Sequence, residues 1–346
     1  MLGRVRSWVS HRRRRGESLS RTLLVHAPAR AARIVSDAAY RRYFPKQLGP
    51  EWTRFLSTIT APSERPYLVI AVPDTLHTLL PCILLAKRHV RLAVLGNGLR
   101  RWEADLVRRQ APFFYEVPAV RGTMVPHGVV LTLLIQSIEG GFGLHDPDLF
   151  VFRPGLYSEL EPRDGEVAVG AYAVINQKTS LVFPTTHLLA LDGAELRRIC
   201  TKYGINADVY PRTPQHMREP LSRIGLGDHN PPKAYLGYYD ALNLVWAAAI
   251  LEGARFRIVS SPTSDDLVHI GGISYDRAND RLRYVHARFL GLPLARSFQE
   301  AYWRRLVGNG MTASKLEAKL VRAGAGSLVD SIDKAVERIS GALRSS

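Results

Sequence analysis

Two short apolar runs, "YLVIAVP" at 67–73 and "VRLAVLGNG" at 90–98, flank a segment of helical spacing, "DTLHTLLPCILLAKRH" at 74–89. Each run is rich in β-formers and closed by a breaker, so each reads as a buried strand. Strands joined through a helix cannot form a hairpin; they pair in parallel through a right-handed crossover. This constrains the fold more than anything else in the chain. The alternation continues with a helix at 99–110, "LRRWEADLVRRQ", and a short third strand in "PFFYEVP" at 112–118. Pro81 kinks the first helix or marks a boundary in it. "GVVLTLLIQSIEGG" at 128–141 is apolar, and pattern alone does not separate helix from strand there. "LFVFRPG" at 149–155 reads as a strand. The implied class is α/β: a Rossmann-like, mainly parallel mixed central sheet flanked by helices, with helical extensions at both ends. Open sheets of this class bind ligands beyond the C-terminal ends of their strands.

Past residue 165 the texture changes. "EVAVGAYAVI" and "TSLVFPTTHLLALD" read as strands that can form a hairpin. "GAELRRICTKYG" at 193–204 is a helix stopped by Gly204. Residues 211–232 are loop-like. "YYDALNLVWAAAILEG" at 238–253 reads as a helix with Asp240 near its start, followed by a strand in "ARFRIV". "DDLVHIGGISYD" at 265–276 runs from strand into a glycine turn, and 312–343 reads as two surface helices broken at 324–326.

The net charge of +16 resembles a nucleic-acid signature, but its distribution does not. Residues 1–50 hold twelve Lys/Arg against two Asp/Glu, which is +10 of the total. The body is only mildly basic. The excess, with Arg12, Arg13, Arg14 and Arg15, belongs to a basic helical arm at 1–62 joined to the body by "TAPSERP" at 60–66. Such an arm reads as a solvated extension, or as a peripheral contact with an anionic membrane through residues 1–60. Nucleic acid ranks last as a partner, because no interleaved aromatic–basic pattern accompanies the charge. The basic N-terminus lacks the apolar centre of a secretory leader, and no run is long enough to span a membrane. Cys82 and Cys200 lack metal-ligand spacing and sit in apolar surroundings, so they read as buried free thiols in a reducing cytoplasm.

"GGFGLHDPDLFVFRPG" at 140–155 carries the chemistry. It places Asp146 and Asp148 one residue apart. Two anions this close are tolerable when a divalent cation lies between them and a substrate's phosphates. Mn2+ and Mg2+ suit that role, because they accept oxygen ligands and share sites with phosphate. The same pattern also fits a plain turn in which Asp146 caps and Asp148 is solvated.

In its context the motif resembles the nucleotide-sugar glycosyltransferases of the GT-A fold, over roughly residues 66–275. The resemblance rests on the order of elements, on an apolar stretch leading into D-x-D, and on a few short motifs. It implies a metal-dependent transferase of family-2-like type. Such an enzyme moves a sugar from a UDP- or GDP-linked donor to an acceptor that the sequence does not specify. The catalytic domain would span 63–290, with a nucleotide-binding part at 66–155 and an acceptor part at 156–290, followed by a C-terminal helical extension at 291–346. By that resemblance Asp146 and Asp148 hold Mn2+ or Mg2+ on the diphosphate. Val72, Pro73 and Asp74 in "AVPDT" seat the nucleoside, and Asn97 in "GNGL" contacts base or ribose. Asp240 is the base that deprotonates the acceptor hydroxyl. His269 in "VHIGG" completes the metal shell, with Gly271 and Gly272 allowing close backbone approach.

Each role has a plainer alternative. Asp240 also reads as a helix N-cap, His269 as a core or turn histidine, and Asn97 as a turn residue before glycine. His145 reads as a turn residue that could also ligate metal. The chain departs from the family pattern in having Tyr239 where an acid would precede Asp240, and it lacks the Q-x-x-R-W of processive members. A haloacid-dehalogenase-type phosphatase would carry its D-x-D on the first strand, not after three. The signatures of P-loop, dinucleotide-binding and serine-hydrolase enzymes are absent. The remaining alternative is a non-catalytic basic binding scaffold on a degenerate transferase fold.

Overall fold

Strand β1 (Pro66–Ala71) is buried along its whole length. A computed structural model places it in the interior of a seven-stranded sheet. The structure describes residues 39–40, 44–60, 64–119, 124–233, 238–259, 263–271, 279–298 and 300–345. Most of the basic arm, with Arg12–Arg15, lies outside the described residues. The chain divides into two units, 1–48 and 49–346. In the first, the described part includes a 3-10 turn at Phe44–Gln47. All that follows concerns the second.

The unit opens with α1 (Pro50–Ile59). Then come β1, α2 (Leu76–Ala86), β2 (Arg91–Asn97), α3 (Arg101–Gln110) and β3 (Phe113–Val117). This is the alternation expected from the sequence. α1, assigned to the arm from sequence, packs Trp52 and Phe55 against Tyr115 of β3. Pro81 sits inside α2, which is buried on nearly every face.

The ambiguous run resolves into α4 (His127–Ser137) and β4 (Gly141–His145). β4 leads through the D-x-D turn to β5 (Leu149–Val151). After α5 (Gly155–Glu159) follow β6 (Glu166–Gly170), β7 (Ala173–Ile175), β8 (Val182–Pro184) and β9 (Leu188–Asp192). Then come α6 (Gly193–Tyr203), α7 (Arg218–Arg223), α8 (Asn243–Leu251), β10 (Arg255–Ile258) and β11 (Leu267–His269). α9 (Asp280–Leu290), α10 (Glu300–Val307), α11 (Ala313–Arg322) and α12 (Gly326–Arg344) complete the unit.

The sheet order is β10-β6-β9-β4-β1-β2-β3. β9 runs antiparallel to both its neighbours; the other pairs are parallel. The class is therefore α/β with a mostly parallel mixed sheet flanked by helices. Alternation along the strands explains the two covered faces. Tyr67, Val69, Ala71, Leu92 and Val94 join one core with α2 and the C-terminal helices. Leu68, Ile70, Ala93 and Leu95, equally buried, point to the other face. Leu306, Leu316, Ile332 and Ile339 belong to the first core, so α10–α12 are a packed layer of the same body.

Three details differ from the sequence reading. β5 is not in the main sheet; it pairs antiparallel with β11 in a separate ribbon. The segment 211–232 contains a 3-10 turn and the short helix α7. α8 begins at Asn243, because Leu242 adopts a left-handed φ of 66° that the helix cannot include. Among the described residues no helix is long and apolar enough to cross a membrane.

Candidate functional site

Asp146 follows the last residue of β4, at the C-terminal end of a parallel strand, where open α/β sheets bind ligands. Pro147 sits second in a turn closed by the Leu149 N–H donating to the Asp146 carbonyl at 3.3 Å. Asp at the first turn position and Pro at the second are favoured for local reasons. β4 lies close against β1: a Cβ on Gly143 would fall 2.2 Å from the Tyr67 ring, so only glycine fits beneath the motif.

Two remote segments converge on this turn. β9 pairs with β4, His145 opposite Leu188, which sets His187 beside Asp146. The Asp146 N–H donates to the His187 carbonyl at 2.8 Å, and His187 Nδ1 lies 2.8 Å from Asp146 Oδ2. β11 pairs with β5, His269 opposite Leu149, and the Ile270 N–H donates to the Asp148 carbonyl at 3.1 Å. That ribbon holds His269 over the motif. His269 Nε2 lies 3.5 Å from Asp146 Oδ2 and 3.5 Å from Asp148 Oδ1. The two carboxylates therefore point at one atom. The His187 and His269 rings are 4.3 Å apart, and Tyr172 packs 5.9 Å from each.

The electrostatics follow from this convergence. Burial opposes ionisation of Asp146, but hydrogen bonds from His187 and His269 outweigh it and hold the carboxyl well below its usual range. Burial likewise disfavours a charged His269, yet the two aspartates overcome it and raise its pKa to about 9. Ligand atoms of Asp146, His187 and His269 all lie within 4.8 Å of one another, close enough to share one metal ion. Asp148, buried, adds a second carboxylate against the same imidazole.

Other residues singled out from sequence are placed differently. His145 lies on the core side of β4, outside this cluster. Its Nδ1 is 2.9 Å from the Asp146 carbonyl and its Nε2 3.1 Å from the Tyr157 hydroxyl. Burial lowers its pKa to about 4, so it stays neutral and donates to that carbonyl. It steadies the motif from below. Asn97 is buried, with both ends of its amide paired 2.8 Å from the Val125 backbone. That pairing takes up one N–H and one oxygen lone pair of the amide.

Asp74 is also buried, at φ 68°. Arg100 holds its carboxylate at 2.7 and 3.2 Å and Arg305 at 2.7 Å. Val72 and Pro73 beside it are partly exposed, and the Val72 carbonyl accepts from Thr75 Oγ1 at 2.7 Å. Asp240 does not cap the helix; it precedes it by three residues, and its Oδ2 pairs with Lys233 Nζ at 2.6 Å. The charges of both Asp146 and Asp240 bear on His127, at the start of α4. Although the His127 ring is open to solvent, the protein packed around it lowers its pKa, and the two acids pull the other way. Asp240 and Asp146 thus both lie within electrostatic reach of His127. Gly271 has the left-handed φ of 71° expected of a glycine turn, while Gly272 lies outside the described residues.

Sequence reasoning missed His187. A single histidine ahead of an apolar strand carries no spacing signal, and only the β4–β9 register brings it to Asp146. Two surface clefts, one between α4 and α6 around Thr132 and Arg197, the other on α3 around Arg101 and Arg108, include none of these residues.

No protein-family model matches the chain, and no curated protein matches it in sequence. Solved structures with similar backbones include the glycosyltransferase GlyE of Streptococcus pneumoniae TIGR4, at 8% identity and TM-score 0.36, covering 76% of this chain and 65% of that one. An active-site mutant of LgtC overlaps at 11% identity and TM-score 0.35, over 72% of this chain and 85% of that one. The bifunctional glycosyltransferase WbbM overlaps at 11% identity and TM-score 0.32; 58% of this chain spans only 39% of its length. At such scores the fold is defined by the strand order above and not by these overlaps.

Proposed function

We propose that this chain is a metal-dependent glycosyltransferase of GT-A type, acting on a nucleoside-diphosphate sugar. One observation carries the reading. Asp146 and Asp148 of a D-x-D turn, at the C-terminal end of a parallel strand, both aim at His269 Nε2. Carboxylates and imidazole are the donors a divalent ion shared with phosphate would need, so Asp146, Asp148 and His269 fit the group that the resemblance implies. When bound, the ion would neutralise charge building on the departing diphosphate.

The chain's own residues supply the rest. The ribbon β5–β11 positions His269, and His145 fixes the Asp146 carbonyl. Asp240 is the candidate to accept the proton of the acceptor hydroxyl, with Lys233 orienting its carboxylate. Val72, Pro73 and Asp74 are the candidates for the nucleoside side of the site; there Asp74 acts by ordering Arg100 and Arg305. A second reading, a degenerate scaffold without transfer activity, draws support from the Lys233–Asp240 pair, which already neutralises the candidate base.

The test is thermal unfolding of the full chain. Mn2+ together with UDP or GDP, at about 100 times its Kd, is expected to raise the melting temperature by about 4 °C. Asp148→Ala is expected to remove the metal-dependent part. A scaffold would show no such shift with either nucleotide.

A further inference from the structure

We propose that His187 is a second imidazole ligand beside His269. The pair would make the site favour a borderline divalent ion, of the Co2+ or Zn2+ kind, over Mg2+, with Mn2+ between them. This deepens the transferase reading and rests on it for the nucleotide; the selectivity itself stands on the donor set.

His187 is aimed as a ligand would be. Its Nδ1 faces Asp146 Oδ2 at 2.8 Å, and its ring lies against that of His269 at 4.3 Å. Both rings contact Tyr172, which limits how they turn. The position is set by the backbone as well, through the Asp146 N–H to His187 carbonyl bond and the β4–β9 register. Two nitrogens and the Asp146 carboxylate thus meet within 4.8 Å of one another, and Asp148 adds a second carboxylate 3.5 Å from His269 Nε2. Mg2+ is a hard ion that prefers oxygen and gives up its waters reluctantly. Imidazole nitrogen favours later divalent ions, in the order Mn2+ below Co2+, with Zn2+ also above Mn2+. A site of carboxylates alone would compress that order; two imidazoles widen it.

The experiment titrates the full chain by calorimetry with Mg2+, Mn2+ and Co2+, without nucleotide, and follows the visible absorption of bound Co2+. Wild type is expected to bind Co2+ and Mn2+ about tenfold or more tighter than Mg2+. His187→Ala is expected to weaken Co2+ and Mn2+ by about ten- to a hundredfold and to change the Co2+ spectrum. Mg2+ affinity should move by about threefold or less, since Mg2+ gains little from nitrogen. His187→Gln, with circular dichroism, separates ligand loss from misfolding. Equal affinity for Mg2+ and Co2+ in wild type would overturn the proposal. So would a His187→Ala variant that keeps wild-type Co2+ affinity and spectrum.

The two readings fail separately. If ion selectivity depends on His187 but UDP and GDP bind no better with the ion, the ligand assignment stands and the transferase reading falls. If Mn2+ and Co2+ support nucleotide binding equally in wild type and His187→Ala, the ligand assignment falls and the transferase reading stands.

Discussion

Asp74 and Asp146 occupy equivalent places, just past the C-terminal ends of the neighbouring parallel strands β1 and β4. They differ in what closes them. Asp74 is gripped by two guanidiniums, Arg100 and Arg305, while its N–H donates to the buried Glu103 carboxylate at 3.0 Å. Asp146 is met by two imidazoles. Arginine has no lone pair to offer and does not lose its proton in a protein. An acid closed by arginine is therefore a lock, here joining the β1 loop to α3 and α10. Imidazole can shed a proton and turn the freed lone pair to a metal. An acid closed by imidazole can open to an ion. The same residue type at the same kind of strand end takes its role from its partner.

The largest effect should fall on ion affinity. Asp148→Ala is expected to weaken Mn2+ binding by about 100-fold or more, about 2.7 kcal/mol. Asp74→Asn should leave it within about twofold, the residue acting through packing and ion pairs elsewhere. Calorimetry on both variants checks the pair; equal losses would erase the distinction between lock and ligand.

Stability should respond in the opposite sense. Asp74→Asn keeps the shape and the tolerance for positive φ but strips the charge from two arginines. A fully buried broken pair costs about 3–5 kcal/mol; with both guanidiniums about a third exposed, about 2 kcal/mol is expected by urea unfolding. An unchanged midpoint would mean the Arg100–Asp74–Arg305 network contributes nothing.

The pH dependence of the metal-free protein separates the two sites next. His269 is raised from 6.5 to about 9, so its contribution is complete below pH 6.5 and is lost as pH climbs towards 9. Asp146 is lowered from 3.8, so its contribution is present above that pH and is lost on acidification below it. Stability should therefore decline between pH 6.5 and 9 by about 1–2 kcal/mol. His269→Gln should flatten that slope, and Asp74→Asn should not, since arginine does not titrate there. The smallest effect, about 1 kcal/mol, is expected for Asn97→Ala, which gives up two hydrogen bonds to Val125.

Much of the sheet was legible because its strands are short apolar runs punctuated by Pro and Gly. The alternation β1-α2-β2-α3-β3 is local information. At 127–145 pattern reading stalled, since a buried helix and a buried strand are both continuously apolar; the break at Ile138–Gly140 became visible only in the fold. D-x-D was visible as a motif, and the structure brings His269 to it. His187 was not legible, because its meaning comes from a strand pairing across more than forty residues. Asp240 was misplaced as a helix opener because nothing in "YYDALN" announces that Leu242 takes a left-handed turn. Asn97 and His145 show the same limit: polar residues at strand ends can face a ligand or a neighbouring backbone, and only packing decides.

Anomalous X-ray scattering from crystals grown with Mn2+ and UDP or GDP tests the central claim most directly. A manganese peak bonded to Asp146, Asp148 and His269, with the diphosphate beside it, is the predicted result. Crystals saturated with both that show no peak there, with the Asp146 carboxylate still closed by the two imidazoles, would contradict it.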